Sequence, residues 1–214
     1  MIKKTIFLIL TGLSFHCLSQ PANHIPLKGS AKTDIEKKIT MASQKIASLQ
    51  CRFIQTKTST LFSEEALSKG LLYYKTPNSL RWEYTEPTTS ILIFHKENTY
   101  LKDENGVVSN PNKMFKQLGN FIVSTINGKG LIANDNFKID YLENGKDKSS
   151  MWIMLTPVSK RLKDMYSSIL IKISTVDYLA LEIILEETSG DKTTIILSDK
   201  KINANMPESR FSIH

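Results

Sequence analysis

The sequence predicts a mainly β protein with an α-helical lid. The expected fold is a single antiparallel, strongly curved, incomplete β-barrel of about 10–11 strands, with helices plugging an apolar cavity. Apolar residues recur at every second position through most of the chain after Leu49, and turn residues separate these runs. Two segments instead repeat with helical spacing. The short connections favour antiparallel neighbours over a parallel βαβ sheet.

The start of the chain is typical of an export signal. Lys3 and Lys4 precede the apolar run 6–15, which is too short for a membrane span of about 20 residues. Small residues favour cleavage after Ser19. Residues 1–19 are therefore predicted to be a cleaved signal peptide.

Lipid attachment at Cys17 is an alternative for the same segment. Such a site needs small residues just before the cysteine, whereas Phe15 and His16 precede it here. Removal of residues 1–19 takes away two lysines and no acidic residue, so the net charge falls from +7 to +5. A mild basic excess favours anionic membrane surfaces or acidic partners, and its scattered distribution argues against nucleic-acid binding.

The folded domain is predicted to span residues 33–214, after a flexible leader of residues 20–32 that is polar and contains prolines. Thr33 and Glu36 have the spacing of a capping box, which predicts that the first helix starts at Thr33. Its apolar stripe has helical spacing and comprises Ile35, Ile39, Ala42, Ile46 and Leu49.

The strands follow in two groups. Asn105-Gly106, Asn144-Gly145 and Ser189-Gly190-Asp191 mark hairpin turns between them. The predicted strands are 51–60, 69–75, 79–85, 90–95, 98–103, 136–143, 150–156, 168–174, 178–187 and 193–199.

A second helix is predicted between the two groups of strands. Asn110 and Pro111 suit its start, and Gly128 suits its end. Its apolar positions are three and four residues apart: Met114, Phe115, Leu118, Phe121, Ile122 and Ile126.

The later strands are apolar on both faces, as in MWIML, ILIKI and YLALEIIL. A sheet with one wet face should alternate instead. A sheet that curves around an apolar space under two helices explains this pattern, and an ordinary sandwich with a filled core is the alternative.

The segment NSLRWEYT directs its aromatic and charged residues to opposite faces of one strand. Arg81 and Glu83 are adjacent on the polar face and are expected to form solvated pairs rather than a catalytic site. The apolar face bears Leu80, Trp82 and Tyr84.

The sequence offers no pattern for catalysis or for a cofactor. The histidines lack metal-ligand spacing, and no nucleophile or phosphate-loop motif occurs. After processing, Cys51 is the single cysteine and is expected to be a buried apolar residue. We therefore predict a protein that is not an enzyme and that holds no metal or other cofactor.

Several segments in order resemble the LolA-type periplasmic carriers of outer-membrane lipoproteins. They are FIQ, GLLYYKTPNSLRWEYTEP, MWIMLTP, EETSGDKTTIIL and INANMPESRFSI. The resemblance implies a periplasmic monomer that accepts acylated lipoproteins from an inner-membrane release complex and hands them to an outer-membrane receptor. It also implies an apolar cavity and lid formed by Ile39, Ala42, Ile46, Leu49, Phe53, Leu80, Trp82, Tyr84, Phe121 and Ile122.

One position departs from the family pattern. Well-known members have an arginine just before the proline of the strand turn, where it holds the lid shut, whereas this chain has Thr76 preceded by Lys75. Lys75 and Thr76 are therefore the candidate latch.

Two alternative functions on the same scaffold are a carrier of another lipid-like cargo, such as a pigment ester or a free lipid, and a periplasmic lipid sensor.

Overall fold

The computed structural model describes residues 25–61, 64–96, 98–109, 113–133, 135–145 and 147–212, and the side chains of all of these except 113–118. The signal-peptide prediction for residues 1–19 lies outside this part of the chain. Within it, no helix is long and apolar enough to cross a membrane.

Twelve strands are present in the described residues, with three helices and two 3-10 turns. The strands are β1 Ile25–Pro26, β2 Ser48–Thr58, β3 Ala66–Lys75, β4 Ser79–Glu86, β5 Ser90–His95, β6 Asn98–Asp103, β7 Gly106–Ser109, β8 Phe137–Glu143, β9 Ser150–Pro157, β10 Tyr166–Ser174, β11 Ala180–Glu187 and β12 Lys192–Ile202. The helices are α1 Gly29–Ser43, α2 Lys113–Ile126 and α3 Lys160–Lys163, and the 3-10 turns are Lys129–Leu131 and Glu208–Phe211.

All twelve strands form one antiparallel sheet in the order β1-β8-β9-β10-β11-β12-β2-β3-β4-β5-β6-β7. Most neighbours are successive hairpin strands. The long pairing of β12 with β2 joins the two groups, for example at Leu197 and Phe53. Strands β1 and β7 lie at the two ends and do not pair with each other, so the barrel is not closed.

The sheet curves around one core. Inner-face residues from both groups of strands, such as Trp82 on β4 and Ile171 on β10, belong to the same buried cluster. Ile39 of α1 and Ile122 of α2 belong to it as well, which places both helices on the inner face. The predicted curved, incomplete barrel with helices is confirmed, with twelve strands rather than 10–11.

A second, smaller core lies on the outer face of the sheet. Tyr73 and Ile93 pack there against Met206 and Phe211, which belong to the chain segment that follows β12. Residues 203–212 therefore cross the outer face, and we call them the C-terminal segment.

The first helix differs from its prediction at both ends. It begins at Gly29, so the Thr33 hydroxyl is inside the helix and donates to the Gly29 carbonyl at 3.4 Å instead of capping the start. It ends at Ser43. Leu49, which was predicted to lie on the helix, is part of β2 and pairs with β12 and β3. Ile46 lies in the connection between helix and strand.

Within the range predicted as a leader, residues 20–32, Ile25–Pro26 pairs with β8 and Gly29 starts α1. Residues 20–24 lie outside the described part of the chain. All ten predicted strands are confirmed to within three residues, and only the short strands β1 and β7 were missed. The connection between β9 and β10 contains the short helix α3, none of whose residues is buried. The predicted start of the second helix at Asn110 lies outside the described residues.

Candidate binding interior under helices α1 and α2

The inner face of β4 carries the aromatic residues that the alternation predicted. Leu80 is 0 % exposed and Trp82 is 5 % exposed, while Tyr84 is half-buried. Phe53 on β2 packs against both rings, with centroid distances of 4.4 Å to Trp82 and 5.2 Å to Tyr84. This aromatic group forms one wall of the interior.

Along β4, the solvent exposure of the inner-face side chains increases from Leu80 to Tyr84. The Tyr84 hydroxyl, at the more exposed end, donates a 3.0 Å hydrogen bond to Gln55 Oε1. Burial raises the pKa of Tyr84, and the Trp82 and Gln55 side chains oppose that rise. Tyr84 is therefore a neutral donor at the boundary between the apolar interior and solvent.

Trp82 has an unusual feature within this wall. Its indole Nε1 is buried and has no hydrogen-bond partner among the residues that the structure describes. A buried donor without an acceptor costs about 1–3 kcal/mol, and native proteins contain few of them.

Helix α2 covers the wall through close contact with β5. The ring of Phe94 occupies the space where a side chain at Gly119 would begin, so glycine allows the helix to approach the sheet. Ile122 and Val123 are buried in the main core, and Phe121 lies 6.0 Å from the ring of Phe137.

Two hydroxyl groups on α2 are satisfied within the helix itself. Ser124 Oγ and Thr125 Oγ1 both donate to the carbonyl of Phe121, at 2.8 and 2.9 Å. Because these bonds need no partner on the sheet, the helix can cover an apolar surface without polar links to it.

Helix α1 completes the cover. Ile39 is buried in the main core, and Gly128, with a φ of +74°, lies against Ser43 and Ile39 where the chain leaves α2. We call α1, α2 and the 3-10 turn Lys129–Leu131 the helical cover.

A tyrosine on the sheet binds both parts of this cover. The buried Tyr141 hydroxyl on β8 lies 2.6 Å from the carbonyl of Leu131 and 3.4 Å from a carboxylate oxygen of Glu36 on α1. Burial, and secondarily the charge of Glu36, raises the pKa of Tyr141, which keeps its proton available for donation. Nothing in the local sequence pattern pointed to Tyr141.

The ten residues predicted for the cavity and lid come close to one another with one exception. Ala42 is half-exposed and lies outside the main core. The other nine belong to or pack against that core: Ile39, Ile46, Leu49, Phe53, Leu80, Trp82, Tyr84, Phe121 and Ile122. Leu49 contributes from strand β2 and Ile46 from the connection before it, not from the helix as predicted.

The candidate latch residues have different partners from those expected. Lys75 Nζ binds the Met206 carbonyl at 3.0 Å and a Glu208 carboxylate oxygen at 2.6 Å, so it holds the C-terminal segment on the outer face. The reason is strand alternation, which puts Lys75 on the same face as Tyr73. Thr76 donates from its backbone amide to the Ala47 carbonyl at 2.9 Å, next to the connection that follows α1.

The Arg81–Glu83 pair forms as predicted but is not solvated. Their side chains are joined at 2.8 Å and are only 15 % and 22 % exposed. The C-terminal segment covers them, and Arg81 also contacts the Arg210 carbonyl at 3.5 Å. A pocket of about 460 Å³ opens beside them, lined in part by Lys102.

Cys51 is buried on the inner face of β2, where desolvation raises the pKa of its thiol to about 12. This agrees with the predicted role as a small apolar residue. On the outer face, the ring of His95 stacks on Phe211 with centroids 6.1 Å apart, and its Nδ1 lies 2.9 Å from Ser79 Oγ.

Comparison with known proteins identifies the fold. The family described as "Outer membrane lipoprotein carrier protein LolA" matches residues 44–214. The chain belongs to the LolA family. The match begins at the connection between α1 and β2 and includes the aromatic wall, α2 and the C-terminal segment.

The individual proteins that the chain resembles are more distant. An outer-membrane lipoprotein carrier protein of Chromobacterium violaceum is 26 % identical over 164 residues, which are 77 % of this chain and 75 % of that protein. An uncharacterized conserved protein from Thermus thermophilus superposes with a TM-score of 0.51 at 11 % identity, covering 85 % of this chain and 93 % of the other. MucB superposes with a TM-score of 0.50 at 10 % identity, covering 87 % and 64 %.

Proposed function

We propose that this protein is a periplasmic carrier that shields the acyl chains of lipoproteins between the inner and outer membranes. The observation that carries the proposal is the aromatic wall of Phe53, Trp82 and Tyr84 beneath a helical cover, in a chain that belongs to the LolA family. The residues proposed to line the site are Ile39, Ile46, Leu49, Phe53, Leu80, Trp82, Tyr84, Phe121 and Ile122.

The cover must move for this function, because its apolar side chains occupy the inner face in the structure. Acyl chains would replace Ile122 and Phe121 against the wall when α2 swings away. The hydroxyls of Ser124 and Thr125 on α2 suit such a movement, because their hydrogen bonds lie within the helix and do not break when it leaves the sheet. The close packing of Gly119 on Phe94 stabilises the closed position.

The energetics require that opening consumes part of the binding free energy. Each buried methylene contributes about 0.8 kcal/mol, so one sixteen-carbon chain contributes roughly 12 kcal/mol. Three fully buried chains would exceed the practical limit of non-covalent affinity, which is about 18–21 kcal/mol. Loss of the contacts of the cover lowers the net affinity, which permits release to a receptor.

The proposed route begins at an inner-membrane release complex and ends at an outer-membrane receptor, with the carrier acting as a monomer. The export signal predicted for residues 1–19 supports a location between the two membranes. Membership of the LolA family supports lipoproteins as the cargo.

Binding of a triacylated lipopeptide with a fluorophore on its peptide tests the proposal. We expect saturable binding that falls at least tenfold in Phe121→Glu, because a carboxylate is expensive to bury against acyl chains. Met41→Glu is the matched control, since Met41 is exposed on α1. Absence of saturable binding by the wild type, or equal loss in both variants, would reject the carrier function.

Native mass spectrometry of the protein from its own periplasm identifies the cargo. A co-purifying triacylated protein is the expected result. A free lipid or a pigment ester would assign the protein to the alternative carrier, and specific capture of a signalling receptor would assign it to the sensor.

A further inference from the structure

The unpaired donor of Trp82 lies inside the proposed binding site. Its ring is 5 % exposed, and its Nε1 has no hydrogen-bond partner in the described part of the chain. The Ser124 and Thr125 hydroxyls on α2 donate to the Phe121 carbonyl, and neither oxygen accepts from the indole. The Tyr84 hydroxyl is close enough to the Trp82 side chain for Trp82 to oppose the rise in its pKa, but the indole N–H makes no hydrogen bond to it. The described part of the fold therefore leaves this buried donor unpaired, which is costly.

Trp82 also lies at a defined depth along β4. Leu80, two residues before it, is fully buried, whereas Tyr84, two residues after it, is half-buried. The Tyr84 hydroxyl gives its single proton to Gln55 at 3.0 Å, so the polar end of the wall is already organised. The indole N–H lies between an entirely apolar region and this polar pair.

The chemical groups of an acylated ligand follow one another in the order that matches this wall, from the apolar end through the donor to the polar end. Its hydrocarbon chain is apolar, its ester or amide carbonyl is a hydrogen-bond acceptor, and its headgroup is polar. We propose that Trp82 Nε1–H donates a hydrogen bond to an acyl carbonyl oxygen of the ligand, with the chain directed toward Leu80 and the headgroup toward Tyr84 and Gln55. This assignment rests on the proposed carrier function.

The consequence is a preference for acyl over alkyl chains. A hydrocarbon chain fills the interior equally well in either case, but only the acyl form brings a carbonyl oxygen, which is a stronger acceptor than an ether oxygen, to the orphan donor. The carbonyl also sets how far each chain enters, because deeper entry would bury it beyond the indole.

The test compares two short-chain phosphocholine lipids, one with two hexanoyl esters and one with two hexyl ethers, each below its micelle concentration. We expect the wild type to bind the ester about tenfold more tightly, which corresponds to about 1.4 kcal/mol. In Trp82→Phe the ratio of the two dissociation constants should fall to about one. Taking the ratio removes the effect of the smaller ring on packing, because both lipids have chains of equal length.

Trp152→Phe is the matched control. Trp152 is the other tryptophan of the chain and lies on β9 with Lys172 Nζ 5.9 Å from its ring, away from the inner face. This variant should keep the tenfold ratio. It also leaves Trp82 as the single indole, so its ¹⁵N–¹H signal can be followed by NMR and should move downfield with the ester lipid but not with the ether lipid.

The outcomes separate this inference from the proposed function. Binding of both lipids with the same ratio in wild type and Trp82→Phe would overturn the carbonyl assignment and leave the carrier function standing. A ligand-free indole signal that already shows a strong hydrogen bond, lost in Tyr84→Phe, would also overturn it. If neither these lipids nor the triacylated lipopeptide bind to the wild type, the carrier function fails as well.

Discussion

The hydroxyl of Tyr141 on β8 donates a 2.6 Å hydrogen bond to the carbonyl of Leu131 in the helical cover. Tyr141 and Leu131 are both almost fully buried, so water does not compete for this hydrogen bond. The same hydroxyl lies 3.4 Å from Glu36 on α1. One side chain of the sheet thus contacts both sequence-distant parts of the cover.

Tyr141→Phe should loosen the cover while keeping the packing of the ring. The Leu131 carbonyl would lose its side-chain donor, so we expect the free energy of unfolding to fall by about 1–3 kcal/mol. Amide exchange across Lys129–Leu131 should accelerate, and acyl ligands should bind faster. Tyr100→Phe, on the outer face, is the control, and unchanged exchange in Tyr141→Phe would contradict this role.

Gly119→Ala should displace α2 from the sheet. A methyl group at this position would overlap the ring of Phe94, which is itself buried and unable to move freely. Overpacking of this kind costs about 1–3 kcal/mol, against a gain of about 1 kcal/mol in helix propensity. The measurement is amide exchange along α2, with Asn120→Ala at the adjacent exposed position as the control. Slower exchange in Gly119→Ala would show that helix propensity dominates and that the close contact is unimportant.

The inner aromatic wall was predictable because strand alternation is local. Trp82 and Tyr84 are two residues apart, so their common face follows from the sequence alone. The ends of α1 were not predictable in this way. Leu49 satisfies both the helical spacing from Ile46 and the alternation toward Phe53, and pairing with β3 and β12 decides between them.

Contacts between segments that are far apart along the chain could not be predicted from the sequence. Tyr141 and Leu131 are ten residues apart on different elements, and no local pattern joins them. Gly70 is different, because a lone glycine within a strand indicates close approach of another group. The Phe53 ring and the Glu83 carbonyl occupy the space beside it, at the bulge between Lys69 and Gly70. The close approach at Gly70 is therefore predictable from the sequence.

Asn203 provides a test of how α1 is joined to the sheet. Its Oδ1 accepts from the amides of Ala47 and Ser48 at 2.7 and 3.3 Å, and its Nδ2 donates to the Lys45 carbonyl at 2.8 Å. Its φ of +56° is one that few residues other than glycine and asparagine adopt. Asn203, directly after β12, therefore binds the connection between α1 and β2.

Two substitutions separate the hydrogen bonds of Asn203 from its backbone conformation. Asn203→Gly keeps the favourable φ and removes the side-chain bonds, so it should destabilise the protein by about 1–3 kcal/mol. Asn203→Ala should be destabilised further, by up to about 1 kcal/mol, because alanine disfavours a positive φ. Denaturant unfolding measures both. If the glycine variant is as stable as the wild type, the side-chain bonds do not hold the connection.

Attachment of the C-terminal segment to the outer face of the sheet should weaken at acidic pH. The ion pair with Lys75 lowers the pKa of Glu208 below its ordinary value of 4.5. Because the folded-state pKa is the lower one, its stabilising contribution is full above pH 4.5 and is lost as the pH falls through the folded-state value. Amide exchange in the C-terminal segment should therefore rise on acidification.

Lys75→Met should remove most of this acid dependence, since no ion pair remains to be broken. Exchange in the C-terminal segment would then already be fast at neutral pH. Lys37→Met, at an exposed position on α1, is the control and should retain the wild-type response. A Lys75→Met profile that follows the wild type at every pH would exclude Lys75 as the residue that holds this segment.

The thiol of Cys51 should report movement of the helical cover. Burial raises its pKa from 9.0 to about 12, which at pH 8 lowers the reactive thiolate fraction by about a thousandfold. Native protein should therefore react very slowly with a thiol reagent, and Gly119→Ala should react faster because the inner face opens more often. Thr60→Cys in a Cys51→Ser background, at an exposed position, is the control for reagent reactivity and should react at the same rate with or without Gly119→Ala. A Cys51 rate that Gly119→Ala leaves unchanged would mean that α2 does not control access to the inner face of β2.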